Sequence, residues 1–155
     1  MVNVPRIARA RAVAAAVCDP ELPDLPIGEL GLLRDVVEQD GVLTIRLAPS
    51  YSGCPAMEAI AADILTALAA AGLGPARVQP VLSPAWSSDW LTTNAHARLR
   101  AAGIAPPERG RLAPACPRCG AEATEQISEF GATACKSLWR CIACREPFEA
   151  FKCCG

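Results

Sequence analysis

Two pairs of cysteines near the C-terminus constrain this chain more than any other feature of its sequence. Cys116 and Cys119 form one C-x2-C pair, Cys141 and Cys144 form a second, and 21 residues separate the pairs. Two thiolates at this spacing reach one cation from a tight turn, and two such turns on neighbouring hairpins complete a tetrahedron. The intervening length suits two or three short strands. The sequence therefore predicts a zinc ribbon with these four cysteines as ligands.

Spacing alone leaves two other uses of the four thiols open: an iron–sulfur cluster, and redox dithiols or disulfides. We favour a structural Zn²⁺, because four thiolates leave no open coordination position for catalysis. A module of about 45 residues has little core, so metal binding would supply most of its folding free energy.

A change in composition near residue 106 predicts two domains. Seven of the nine cysteines lie in the last 40 positions, and residues 105–110 resemble a linker. Of the hydrophobic residues, which make up 52% of the chain, 30 are alanine, so the core before the linker must be modest. We assign residues 1–105 to a small α+β domain and residues 106–155 to the ribbon.

Hydrophobic periodicity and turn signals give the order of elements in the first domain. Asp40-Gly41 is a strong two-residue turn signal between two apolar runs. Prolines at 20, 23 and 26 predict an irregular loop over residues 18–31. The predicted elements are a helix over 4–17, strands over 33–37 and 42–47, a helix over 55–71, a strand over 76–82 and a helix over 91–102.

Charge and hydropathy disfavour two classes of function. The net charge is −1, without blocks of like charge, and residues 105–155 carry seven basic and six acidic side chains, so we expect no nucleic-acid partner. No apolar run approaches the ~18 residues that span a membrane. The N-terminus imitates a signal peptide, but its apolar stretch over residues 12–17 is short for one. We therefore expect a cytoplasmic chain with reduced thiols and no membrane partner.

Cys54 is the candidate functional thiol. It precedes Pro55, which suits the start of a helix, so Cys54 would occupy the N-cap, where amide groups and the helix dipole lower a thiol pKa. The alternative is a cysteine that caps or packs. A catalytic pair with His96, the single histidine, is disfavoured because His96 lies in a different segment.

Two further groups of residues have competing interpretations. Asp19 and Glu21 lie on the proline-fixed loop; they would orient a partner or bind a cation, or Asp19 would cap the loop by accepting backbone N–H bonds. Cys135 and Cys153 would be small buried residues, or a second thiol site that handles iron–sulfur components or forms a disulfide. Cys18 and Cys154 receive no role.

Several motifs carry a resemblance to known families. The stretches DPELP at 19–23, SGCP at 52–55 and SPAWSSDWL at 83–91 resemble the MIP18-like family of iron–sulfur assembly domains, which is similar to residues 5–103. The ribbon, with ISEFGATACK at 127–136 and EPFEAFKC at 146–153, resembles one branch: the PaaD (PaaJ) family of subunits of the bacterial ring 1,2-phenylacetyl-CoA epoxidase system.

The resemblance implies a fold and a function. The fold is α+β, with helices packed on a short mixed sheet, followed by the ribbon. Members are not themselves catalysts, so we expect an accessory or maturation factor that assists iron–sulfur cluster or iron assembly in the reductase or oxygenase of phenylacetate degradation. The family's conserved cysteine corresponds to Cys54 and its acidic loop to Asp19 and Glu21.

The resemblance also sets expectations for cofactors and partners. Besides structural Zn²⁺, the chain would transiently carry iron or an iron–sulfur cluster. Its partners would be subunits of the epoxidase system, especially the iron–sulfur flavoprotein reductase, and a homodimer stays open. The alternative function is a purely structural docking subunit of the multicomponent monooxygenase, without a role in metal transfer.

Overall fold

The chain divides into two compact units. The computed structural model describes residues 2–51 and 53–152, and its units are Met1–Trp86 and Ser87–Gly155. The domain boundary that composition places between residues 105 and 106 stays a prediction. In the part of the chain that the structure describes, no helix is both long and apolar enough to cross a membrane.

The first unit mixes helices with short strands. Its elements are α1 (Val4–Ala15), β1 (Cys18–Asp19), β2 (Leu22–Pro26), α2 (Ile27–Leu30), β3 (Leu33–Gln39), β4 (Val42–Leu47), α3 (Ala56–Ala70) and β5 (Ala76–Pro80). β3, β4 and β5 form a mixed sheet in that order, because β4 pairs antiparallel with β3 and parallel with β5. The predicted α+β class with a short mixed sheet is confirmed.

The hairpin between β3 and β4 follows the predicted turn. Asp40 has φ 53° and Gly41 has φ 79°, and two successive residues with positive φ are what a type I′ hairpin turn requires. Aspartate and glycine are among the residues that adopt this region at low cost. The turn thus fixes the register in which Gln39 pairs with Val42.

The core of the first unit lies between α3 and the mixed sheet. Ile60, Ile64 and Leu68 recur every four residues along α3, so they share one helix face, and all three are completely buried. On β4, Leu43, Ile45 and Leu47 alternate with period two and are also completely buried. These two periodicities are the ones that the sequence displays.

The N-terminal helix is capped and closely packed. Asn3 accepts a hydrogen bond from the backbone N–H of Arg6 at 3.1 Å through its side-chain oxygen. The end of α1 approaches α2 so closely that a Cβ at Gly28 would lie 2.8 Å from Cβ of Ala15. A glycine at position 28 is therefore a packing requirement.

The segment over residues 18–31 corrects the expectation of an irregular loop. It contains the antiparallel pair β1–β2 and the helical turn α2. The ladder has only two strands and shifts register after Cys18, and such a pairing tolerates proline because few N–H groups are needed. The prolines of this segment are therefore compatible with a short antiparallel pair of strands.

The second unit contains a helix and the ribbon. Its elements are a 3₁₀ helix (Ser88–Trp90), α4 (Thr93–Ala101), β6 (Ile104–Ala105), β7 (Thr124–Ser128), β8 (Lys136–Cys141) and β9 (Pro147–Phe151). α4 begins later than predicted because the Thr92 hydroxyl accepts the N–H of Ala95 and caps the helix. The sheet order is β6-β9-β8-β7, with β6 parallel to β9 and the other pairs antiparallel.

The ribbon has a small core that includes two of the predicted metal ligands. Cys116 and Cys141 are buried with Ala105, Phe148 and Ala150, and Ala121 and Trp139 pack against this cluster. So few apolar side chains supply little burial free energy, and we therefore expect the ribbon to need a further source of stability.

Candidate metal centre and thiol site

The first cysteine pair of the ribbon sits on a tight turn. The backbone N–H of Gly120 donates to the carbonyl of Cys116 at 2.9 Å, and the N–H of Cys116 donates to the carbonyl of Ala121 at 2.9 Å. Gly120 directly follows Cys119 and has φ 78°, a conformation suited to glycine. The turn brings both thiols of the pair to one side of the backbone.

The second pair repeats this arrangement at the end of β8. The backbone N–H of Cys141 donates to the carbonyl of Glu146 at 3.0 Å, and the N–H of Cys144 points at the sulfur of Cys141 at 3.4 Å. Arg145 directly follows Cys144 and has φ 65°, so it occupies the left-handed position that Gly120 occupies in the first turn. Two matching turns therefore face each other.

The four sulfurs form a compact cluster with the dimensions of a metal site. Their Sγ atoms all lie within 4.8 Å of one another. Sγ of Cys116 is 3.8 Å from Sγ of Cys144, and Sγ of Cys119 is 3.5 Å from Sγ of Cys141. A tetrahedral Zn²⁺ with Zn–S bonds of about 2.3 Å separates its sulfurs by about 3.8 Å. The predicted ligands are thus assembled into a four-cysteine metal-binding cluster, and the donor set fits zinc.

Hydrogen bonds within the cluster give two of its thiols different pKa values. The backbone N–H of Cys144 stabilises the thiolate of Cys141 and lowers the pKa of Cys141 to about 7, although burial opposes this. The pKa of Cys144 is raised to about 12, since burial and the neighbouring sulfurs outweigh the stabilising N–H of Glu146. Metal binding would deprotonate all four thiols, and the bound cation would supply the counter-charge that adjacent thiolates need.

Cys54 lies just before α3, in a tight turn. Its backbone N–H donates to the carbonyl of Tyr51 at 3.3 Å, and its own carbonyl accepts the N–H of Met57 at 3.2 Å. The sequence predicts Cys54 at the N-cap, but α3 begins at Ala56 and Pro55 takes the cap position. Cys54 therefore lies one residue before the N-cap of α3.

The acidity predicted for Cys54 is wrong in direction. Burial of the half-exposed thiol raises its pKa, and this effect outweighs the hydrogen bonds that Ala56 N–H and the Tyr51 hydroxyl donate to the sulfur. The carboxylates of Glu21 and Asp19 raise the pKa further, because their negative charges oppose a thiolate. Sequence reasoning considered the helix start and left out both burial and the nearby carboxylates.

The same electrostatic effect shows that three of the predicted residues come together. Glu21 and Asp19 lie near enough to act on Cys54, although 33 or more residues separate them in sequence. Asp19 is buried, and its Oδ1 accepts the backbone N–H of Glu21 at 2.8 Å. The capping interpretation of Asp19 is thus confirmed, and this bond holds the carboxylate in place.

Cys135 is half-buried at the start of β8. Its sulfur is 3.0 Å from the Thr133 hydroxyl, and its carbonyl accepts the backbone N–H of Lys152 at 2.9 Å. Cys153, the predicted partner in a second thiol site, lies outside the described residues, as does Cys154. The proposed second site stays a prediction. All seven described cysteines are free thiols.

Sequence reasoning missed Tyr51 as a neighbour of the thiol. Its side chain acts to lower the pKa of the Cys54 thiol, and its carbonyl accepts the backbone N–H of Cys54 at 3.3 Å. A hydroxyl-bearing side chain three residues before a cysteine, with a glycine between them, is a pattern that a turn would bring together. That signal is present in the sequence.

Two family models match the two parts of the chain. Residues 8–79 match the model described as iron–sulfur cluster assembly protein, and residues 105–152 match the PaaD zinc beta ribbon domain. The fold and the sites therefore define an iron–sulfur-assembly-type protein with a C-terminal four-cysteine ribbon.

The similarity extends over nearly the full length of a curated relative. The chain is 44% identical, over 96% of its own length and 94% of the relative, to a protein of Escherichia coli (strain K12) that is named as a putative subunit of 1,2-phenylacetyl-CoA epoxidase. The chain belongs to the PaaD family, as does this relative. The family resemblance inferred from the motifs is confirmed.

A solved structure supports the fold of the first unit. The crystal structure of the domain of unknown function DUF59 from Bacillus anthracis is similar to this chain with a TM-score of 0.56 and 28% identity. The match covers 61% of this chain and 92% of that chain. Most of that chain therefore shares its fold with part of this one.

Proposed function

We propose that this chain is an accessory maturation subunit of a phenylacetyl-CoA epoxidase system, which assists the assembly of iron or an iron–sulfur cluster in the reductase or the oxygenase. The observation that carries the proposal is the grouping of Cys54 with Asp19 and Glu21, inside a unit that matches an iron–sulfur assembly family. The name of the full-length relative supplies the enzyme system. In this proposal the chain assists assembly, and the reductase and oxygenase carry out the epoxidation.

The grouping suits a cation as cargo. Burial, followed by the charges of Glu21 and Asp19, raises the pKa of the Cys54 thiol, so the free sulfur holds its proton. An iron cation near the sulfur would be attracted by the same carboxylates and would favour the thiolate. The thiol would lose its proton when iron binds and regain it when iron leaves, so Cys54 could both accept and release the metal.

The ribbon has a different task in this proposal. Its four cysteines would hold a structural Zn²⁺, which links the turn after β6 to the end of β8 and stabilises the small core. Since four thiolates fill the coordination sphere, the zinc would have no open position for catalysis. The ribbon would instead contribute a rigid surface for docking a client protein. The iron–sulfur flavoprotein reductase is the proposed client, and a homodimer stays a prediction.

A substitution in cells tests the metal-handling role. Replacing Cys54 with Ser keeps the size of the side chain and removes the soft thiolate ligand. We expect reduced iron–sulfur content of the reductase and reduced turnover of phenylacetyl-CoA. The matched control is Cys18→Ser, an exposed cysteine of the same unit, which should change neither quantity. Normal cluster content and turnover with Cys54→Ser would rule out the role.

A structural docking subunit is the competing function. The hydrogen bond from Glu21 N–H to Asp19 favours it, because this bond gives the Asp19 carboxylate a structural use. Under this alternative the chain would copurify with the oxygenase or reductase in a fixed ratio, and Cys54→Ser would be harmless. Metal and sulfide analysis of protein purified without oxygen adds a further observation. One zinc and no iron would leave a structural ribbon with an at most transiently loaded Cys54, whereas iron and sulfide alongside zinc would put a second site among the remaining five thiols.

A further inference from the structure

One face of the mixed sheet in the first unit carries arginines where the other face carries the core. The completely buried apolar residues of β4 point to the face on which α1 and α3 pack, so Thr44 and Arg46, which alternate with them, point to the opposite face. Thr44 pairs with Arg77 in the parallel ladder between β4 and β5. Arg46 and Arg77 are therefore neighbours on adjacent strands of this opposite face.

Arg77 is exposed, yet the sheet holds its guanidinium. Its Nε–H donates to the hydroxyl of Thr44 at 2.9 Å, and Thr44 is buried. Among the side chains that the structure describes, no carboxylate pairs with Arg77, so its two terminal nitrogens are available to another molecule. An arginine whose fork is already oriented loses less conformational entropy when it binds a carboxylate end-on.

Arg46 belongs to a group with excess positive charge. Its Nη1 lies 3.7 Å from Oδ2 of Asp35, whose Oδ1 also accepts a hydrogen bond from Nη2 of Arg11 at 3.2 Å. All three side chains are 42–46% exposed, and ion pairs in contact with water are weak, so Arg46 can exchange this carboxylate for another. We call Arg11, Asp35, Thr44, Arg46 and Arg77 the arginine face.

The charge of the first unit as a whole has the opposite sign. Residues 1–86 hold six arginines, no lysine and nine acidic side chains, and three of the six arginines belong to the arginine face. A long polyanion such as a nucleic acid would meet the net negative charge of the unit, whereas a small cluster of carboxylates on a protein would meet only the local positive charge. The charge distribution therefore fits an acidic protein surface.

We propose that the arginine face is a docking surface for an acidic patch of a protein partner, whose carboxylates bind Arg77 and Arg46. The partner is a subunit of the epoxidase system, and only in this choice does the inference rest on the proposed function. The arginine face belongs to the first unit, so it is a second contact for the client besides the surface of the ribbon.

The experiment measures the affinity of the full-length, zinc-loaded protein for the purified reductase and for the purified oxygenase. Biolayer interferometry at about 50 mM and about 300 mM salt gives the dissociation constants. Arg77→Gln should weaken binding of at least one of the two enzymes by about tenfold at low salt, because hydrogen bonds between charged groups are lost. Arg46→Gln should weaken the same complex by about three- to tenfold. Both variants should be less sensitive to salt than the unsubstituted protein.

Arg9→Gln is the matched control. It removes the same charge from an exposed arginine of α1, which donates to the carbonyl of Ala71 and lies outside the arginine face. Its affinity should change by less than about twofold. Arg46→Gln leaves Thr44 with its donor, so it stays decisive if Arg77→Gln fails to fold. Equal affinities of the Arg9, Arg46 and Arg77 variants would overturn the proposal, as would a failure of both enzymes to bind the unsubstituted protein at low salt.

A fluorescent single-stranded RNA of about 20 nucleotides tests the other class of partner. We expect no binding at about 150 mM salt, because the unit is negatively charged as a whole. RNA binding that Arg46→Gln and Arg77→Gln both weaken would assign the arginine face to nucleic acid and overturn the proposal.

Docking and maturation fail in different experiments. If Cys54→Ser is harmless in cells while Arg77→Gln weakens the complex, the arginine face docks a partner and the maturation role is wrong. If Cys54→Ser lowers cluster content while both arginine variants bind the enzymes as tightly as the unsubstituted protein does, the maturation role stands and the docking surface is wrong.

Discussion

The indole N–H of Trp86 donates a hydrogen bond to the carbonyl oxygen of Leu30 at 2.9 Å, and both residues are buried. The two residues are 56 positions apart, so this one bond ties the last residue of the first unit to the end of α2. Because α2 has only four residues, it cannot hold its own conformation and depends on such tertiary contacts. The loop that contains Trp86 therefore closes this edge of the core.

We predict that Trp86→Phe destabilises the first unit by about 1–3 kcal/mol, because the buried carbonyl of Leu30 loses its donor. Urea unfolding monitored by circular dichroism measures the change. Leu82→Ala is the control, since Leu82 is a nearby apolar residue with 67% of its surface exposed, and its removal should have almost no effect. Equal stabilities of Trp86→Phe and the unsubstituted protein would show that water replaces the indole.

Removal of one cysteine ligand should release the metal from the ribbon. We predict that Cys141→Ser loses its zinc and that strands β7 to β9 lose protection from amide hydrogen exchange. Binding of a structural zinc contributes about 10–16 kcal/mol in small zinc modules, which exceeds what the few buried side chains supply. Metal analysis and exchange mass spectrometry of the same sample check both parts.

Cys18→Ser is the matched control for this prediction, because Cys18 is a free, exposed cysteine of the other unit. It should keep a full equivalent of zinc and normal exchange in the ribbon. A Cys141→Ser protein that retains zinc and protected strands would contradict the prediction, and it would mean that three sulfurs suffice to fold the module.

The ribbon and the hairpin were predictable from sequence because their signals are local. Cysteine pairs at fixed spacing specify a turn and a metal together, and Asp40-Gly41 specifies a turn whose φ angles few other residues adopt. The strands β1 and β6 could not be predicted in this way. Each has two residues, too few to show a period. β1 pairs with the neighbouring β2 across a shift in register, and β6 forms through pairing with the distant β9.

The chemistry of Cys54 was predictable only in part. Its place before a helix follows from Pro55 and the apolar period of α3. Its raised pKa depends on burial and on Glu21 and Asp19, which reach the thiol through the tertiary fold. Electrostatic neighbours of this kind are not encoded within a short window of sequence, so the direction of the shift could not be read from the helix start alone.

The stability of the first unit should depend on pH through Glu38. The backbone N–H of Asn3 donates to one carboxylate oxygen at 3.1 Å and Arg6 donates to the other. The Asn3 bond, followed by the Arg6 contact, lowers the pKa of Glu38 in the folded state. A lowered folded pKa stabilises the fold above the unfolded pKa of Glu, and the contribution is lost as the pH falls through the folded pKa.

We therefore predict that Glu38→Gln is destabilising at neutral pH and that its difference from the unsubstituted protein shrinks as the pH falls below about 4. Denaturant unfolding at several pH values measures this. Asp63→Asn, which changes an exposed carboxylate on α3, should show a small difference at every pH. If the loss of stability in Glu38→Gln were the same at every pH, the loss would come from changed hydrogen bonding or packing and not from the missing charge.

The ribbon contains one charge pair whose two members should respond differently to substitution. Nζ of Lys136 lies 3.5 Å from Oε1 of Glu149, and the lysine side chain is only 5% exposed while the glutamate is 27% exposed. Glu149 also accepts the backbone N–H of Ala132 at 2.8 Å. Glu149→Gln therefore leaves a buried ammonium without its counter-charge, which costs about 3 kcal/mol or more.

Lys136→Met removes the buried charge and leaves Glu149 with its backbone partner and with access to water. We therefore predict that Lys136→Met destabilises the ribbon much less than Glu149→Gln does, and that the double substitution is milder than Glu149→Gln alone. Denaturant unfolding of the zinc-loaded protein measures the stability of all three variants. Equal losses for the two single substitutions would contradict the asymmetry, because they would mean that the ammonium of Lys136 reaches water when Glu149 loses its charge.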